Sequence, residues 1–139
     1  MKHINHWVMV TVICAGLLLS ACGGQTTVTG EKVAPSKLEP IEGSELSRVI
    51  LTEKAAERLG IETVLASGIE VPYAAVIYDT EGKTWMYTNP APLTYVRALI
   101  MIEYIEGDTA FLSESLASEL AVVTVGVSEL YGTETGVSK

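Results

Sequence analysis

Few side chains in this sequence can do chemistry. His3, His6, Cys14 and Cys22 are its only histidines and cysteines, so from Gly23 onward neither residue type occurs. That region therefore has no partner set for a Ser-His-Asp or Cys-His nucleophile and none for the usual zinc sites. What remains is two carboxylate pairs at turns, two methionines and an aromatic pair. Asp79 and Glu81 precede Gly82, and Glu106 and Asp108 bracket Gly107. A calcium loop needs more oxygen ligands at set spacing than either pair supplies, so both are expected to be turn chemistry. Met86 and Met101 would suit a soft metal ion, but each lies in an apolar run and is expected to be core. Trp85 and Tyr87 flank Met86 and so share one face of a strand. They form either a second apolar layer or a protein-contact surface, and are the candidate contact residues. No catalytic, cofactor-binding or metal-binding residue is assigned.

Cys22 has a different chemistry, set by what precedes it. Lys2 gives a basic start, Trp7 to Leu19 carries no charge, and small residues Ser20 and Ala21 lead into Cys22. That is the layout of a cleaved export signal, with an apolar run shorter than the roughly 20 residues a spanning helix needs. Leu19-Ser20-Ala21-Cys22 resembles the lipobox of bacterial lipoproteins, in which the cysteine is acylated and becomes the new N-terminus. The resemblance implies a signal peptide over 1–21, lipid on Cys22, and a protein held on the extracytoplasmic side of a membrane in the cell envelope. Cys14 would be discarded with the signal, leaving no thiol for a disulfide.

The formal net charge is −8. No basic cluster follows the signal, which argues against nucleic acid and against a second, electrostatic hold on anionic lipid. Residues 22–45 are rich in Gly, Thr, Ser, Pro and Glu without apolar periodicity. They are expected to be a flexible tether of about 25 Å typical reach.

The elements that must position Trp85 and Tyr87 follow. Over 46–131 the chain reads as a β-rich domain with one short helix, a small antiparallel barrel or sandwich. Arg48 to Leu51 is a short strand. Thr52 caps a helix that Gly60 ends, with Ala55, Ala56 and Leu59 on its inner face. A further strand runs from Ile61 to Leu65. Ala74–Tyr78 and Thr84–Thr88 make a hairpin around Asp79–Gly82. Asn89–Pro92 turns a corner into the longest strand, Leu93–Ile105, whose core face is Val96, Ala98, Ile100, Ile102 and Tyr104. Thr109–Ser113 and Ala121–Val125 are the last strands, Ser128–Tyr131 is a helical turn or an edge, and 132–139 is a frayed tail.

Several of these stretches also carry a family resemblance. Val71-Pro72, Trp85-Met86-Tyr87, Leu93 followed by Arg97, Glu106-Gly107-Asp108 and Val122 to Gly126 look like the membrane-proximal domain of the periplasmic adaptors, or membrane fusion proteins, of RND-type efflux pumps. Leu51-Thr52-Glu53 through Gly60-Ile61-Glu62-Thr63 is similar to a segment such adaptors carry near their N-terminus. The lipoyl-like domain, helical hairpin and β-barrel that separate the two in an adaptor are replaced here by Ser67-Gly68. Ser115 to Ala121 departs from the glycine-bearing turns of the family. The resemblance implies a non-enzymatic accessory protein that docks on an RND-type transporter. The alternative is a free-standing envelope lipoprotein binding a small ligand or another protein.

Overall fold

The computed structural model describes residues 34–136. Its first helix, α1 (Glu53–Leu59), forms where both ends are specified. The Thr52 hydroxyl accepts a hydrogen bond from the Ala55 amide at 3.2 Å, and Gly60 takes the left-handed conformation at φ 61°. Those contacts satisfy end groups that a helix of this length could not leave bare.

The described residues also form eight strands: β1 (Ser36–Pro40), β2 (Ser47–Leu51), β3 (Glu62–Pro72), β4 (Ile77–Tyr78), β5 (Thr84–Ala91), β6 (Thr94–Ile100), β7 (Ile102–Glu106) and β8 (Thr109–Val125). All pair antiparallel in one sheet of order β1-β2-β6-β5-β8-β3, with β4 joined to β5 and β7 to β8. The fold is mostly β and sandwich-like, not a closed barrel. The crossover through α1 puts β2 beside β6 and β3 beside β8, so the N-terminal strands bracket the later meander on both sides.

Alternation along the inner strands sends neighbours to opposite cores. Tyr87 and Val123 join Val49, Leu51, Tyr95 and Ala55 of α1 in one core, together with Val127 and Leu130 of a second helix, α2 (Val127–Thr135). Met86 and Val122 face the other core, with Ala66, Val71, Ala75, Ile100, Ala110 and Leu112.

Several expectations are corrected. The presumed tether contains β1, held by its ladder to β2 and by the Thr52 amide donating to the Pro35 carbonyl at 3.0 Å. A proline-flanked edge strand owes its place to a neighbour's backbone and has no apolar pattern to announce it. Leu93–Ile105 is two strands, because the chain leaves β5 after Ile100 and joins β8 at Ile102. Met101 sits at that switch, 60% exposed, and is not core. Of the face assigned to the core, Tyr104 is exposed, while Tyr95 on the opposite face is buried. Thr109–Ser113 and Ala121–Val125 are parts of one strand, β8, which shifts register against β3. Finally, 132–135 is not a tail: it completes α2, which starts after Gly126 at φ 83°.

Candidate functional site

The strand pairing Tyr87↔Arg97 places the one inward cation of β6 beside the aromatics of β5, on the face that α2 covers. From α2, Tyr131 and Glu134 come three residues apart and so point the same way. The Arg97 guanidinium carbon lies 4.4 Å from the centroid of the Trp85 ring and 5.3 Å from that of Tyr131, within cation–π range of both.

Arg97 Nε is 3.3 Å from Glu134 Oε2, and the two side chains are only 12% and 4% exposed. The Nε–H has no hydrogen-bond acceptor in good geometry, so the contact is a coulombic pair rather than a hydrogen bond. The carboxylate is used fully: Oε2 also accepts from the Tyr87 hydroxyl at 2.5 Å, and Oε1 accepts from the Ser47 amide at 3.4 Å. One side chain near the end of α2 thereby ties the helix to β2, β5 and β6. Burial, then the Glu134 carboxylate, push the Tyr87 phenol well above its ordinary value.

On the outer side, the Trp85 indole Nε1 donates to Asp79 Oδ2 at 2.9 Å. Asp79 Oδ1 accepts from the amides of Glu81 and Lys83, each at 2.9 Å, closing the hairpin turn. The Trp85 hydrogen bond first, and those amides with it, hold the Asp79 carboxyl below the usual range. An open groove of about 560 Å³ runs past these groups, with Glu45, Asp79, Glu81 and Lys83 at its rim and Trp85, Arg97 and Tyr131 in its wall. Lys83 and Glu81 pair across 2.6 Å and raise the lysine. A guanidinium fixed against a pinned indole can recognise a surface.

Trp85 and Tyr87 thus part company. Trp85 is half-buried in the groove wall, but Tyr87 has 0% exposure, so it cannot touch a partner. The cause is α2, which covers that face and takes the Tyr87 hydroxyl. Met86 is core. Asp79, Glu81 and Gly82 make a turn, as do Glu106, Gly107 and Asp108, where the Asp108 carbonyl accepts from the Tyr73 amide at 2.8 Å. Among the described residues, no group of three or more His, Cys, Asp or Glu is placed to hold a metal ion, and no helix is long and apolar enough to cross a membrane. Cys22 lies outside the described residues.

The sequence leaves Glu134 in the expected tail and gives Arg97 no role beyond its place after Leu93 in the family resemblance. One signal was present: Val127, Leu130, Tyr131 and Glu134 continue a helical spacing beyond the point where the domain was ended.

No family model, no curated protein and no solved structure matches the chain.

Proposed function

We propose that this protein is a lipid-anchored accessory component of the cell envelope that docks, without chemistry of its own, on the extracytoplasmic face of an RND-type efflux transporter. The observation carrying this reading is the interleaving of the two adaptor-like segments. In an adaptor they are far apart in sequence and converge in the domain nearest the pump; here β2 pairs with β6 and β3 with β8, so they share one sheet. The fixed Trp85–Arg97–Tyr131 wall gives that sheet a rigid recognition surface. Acylation of Cys22 would confine it to a membrane and raise its effective concentration near transporter domains there, so weak contacts would be occupied.

Photocrosslinking in cells from Thr80 and Leu99, both exposed beside the groove, tests the reading. The expected product is an adduct with an integral membrane transporter, lost when Cys22→Ser releases the protein from the membrane. Adducts with abundant bystanders only, together with unchanged drug and metal tolerance after gene deletion, would refute it in favour of a free-standing lipoprotein.

A further inference from the structure

A second groove on the sheet is lined by neither Trp85 nor Arg97. It follows β7 and encloses about 660 Å³, with Gly82 and Thr84 on one wall. Tyr78, Met101, Tyr104 and Ile105 line it and are each at least 44% exposed. Large apolar side chains clustered in this way mark an interaction surface more often than a solvated one. The Tyr104 ring is stacked on Phe111, with centroids 4.5 Å apart and planes 11° from parallel, so it is a rigid platform.

Charge around this groove has a single sign. Glu103 lines it, Glu106 and Asp108 follow in the same hairpin, and all three are exposed. From Ala98 to Ser138 the sequence has seven carboxylates and neither lysine nor arginine. The cation just before that stretch, Arg97, is paired with Glu134, and Lys83 is paired with Glu81; both line the other groove. Among the described residues β7 pairs only with β8, which leaves its other edge without a ladder. A bulge at Glu103 limits regular geometry to Tyr104–Glu106. Short, bulged, acidic edges resist pairing with a copy of themselves, because like charges meet across the ladder.

We infer that the β7 groove binds an extended polypeptide segment of a partner protein in which apolar and basic residues alternate. Its apolar side chains lie on Tyr78, Met101 and Ile105; its lysines or arginines reach Glu103, Glu106 and Asp108, with one cation stacked on the Tyr104 face. A second copy of this chain would present the same carboxylates and is disfavoured. An anionic lipid surface is disfavoured by the same repulsion. This inference goes beyond the efflux reading and does not need it.

The full chain in detergent micelles, titrated with a fluorescent, photoreactive peptide alternating valine and lysine, provides the test. Saturable binding is expected, weakened by salt, with crosslinks on Met101 to Ile105. Reversing Glu103→Lys and Glu106→Lys together should weaken it about tenfold, as loss of complementary rim charges does. Both positions are exposed, so folding is not at stake, and the wild type tested against a valine–glutamate peptide is an independent control. Equal binding of that peptide, crosslinks confined to other strands, or no binding at millimolar peptide would each overturn the inference. So would partition of the Cys22→Ser protein onto zwitterionic vesicles that adding Tyr104→Asp abolishes, since that assigns the patch to lipid.

Discussion

Replacing Glu134 by glutamine should destabilise the protein more than any surface substitution. The amide keeps the shape, though its single oxygen can accept from Tyr87 or Ser47 and not from both, and it removes the carboxylate paired with Arg97, whose side chain is 12% exposed. Breaking a buried ion pair from one side costs about 3–5 kcal/mol, since the other charge stays desolvated. Arg97 retains the Trp85 and Tyr131 faces and borders the groove, which favours the lower end of that range. At about 4 °C per kcal/mol for a domain near this size, roughly 3 kcal/mol is a fall in Tm of about 12 °C. Urea denaturation of Glu134→Gln, Arg97→Met and the double variant measures it. The double variant should lie well above the sum of the singles, because it leaves no unpaired charge. A loss under about 0.5 kcal/mol for Glu134→Gln, the level of ordinary surface changes, would refute the reasoning.

Three further outcomes follow from particular contacts. Tyr87 is raised in the fold, so the stability it contributes is present below its unfolded value of about 10 and lost as pH rises above it, by up to about 1.4 kcal/mol per pH unit. Alkaline titration of unfolding should therefore show a shallower decline for Tyr87→Phe than for wild type. Leu93 holds φ 58° between β5 and β6 while its carbonyl accepts from the Leu51 amide at 2.9 Å. Leu93→Asn should be tolerated there and Leu93→Val should cost about 1–2 kcal/mol by thermal unfolding, because a β-branched residue fits the left-handed region worst. A Cβ on Gly126 would run into Ile61 Cδ1, so Gly126→Ala should cost about 1–3 kcal/mol, and adding Ile61→Val, which removes that methyl, should recover part of it.

Helix α1 and the hairpin at Asp79–Gly82 were legible because their signals are local: a capping threonine, a terminating glycine, an aspartate that accepts its own turn amides. What escaped reading depends on neighbours distant in sequence. In β6 both faces carry buried residues, Tyr95 in the core with α2 and Ile100 in the core with β3 and β8, so alternation of polar and apolar residues does not separate inside from outside. Arg97 then looks like a solvent-facing interruption, although its strand partner is the fully buried Tyr87. Met101 misleads in the opposite sense, apolar at a place where the chain changes sheet partner and exposes whatever it carries there.

The Arg97–Glu134 pair bears on recognition as well as stability. A guanidinium stacked on Trp85 presents a fixed surface only while its Nε side is held, and Glu134 from α2 holds it there. On the far side of the same indole, Asp79 takes the ring N–H and is itself tied to the hairpin backbone. The groove wall is thus clamped by carboxylates from two elements, the Asp79 turn and α2. Loosening either should blur the surface before it unfolds the sheet. Asp79→Ala, which leaves the buried pair intact, should free the indole: Trp85 fluorescence should shift to longer wavelength and its anisotropy fall with little change in urea midpoint. An unchanged emission spectrum and anisotropy would mean that packing against Arg97 alone fixes the ring, and that the turn aspartate serves only the turn.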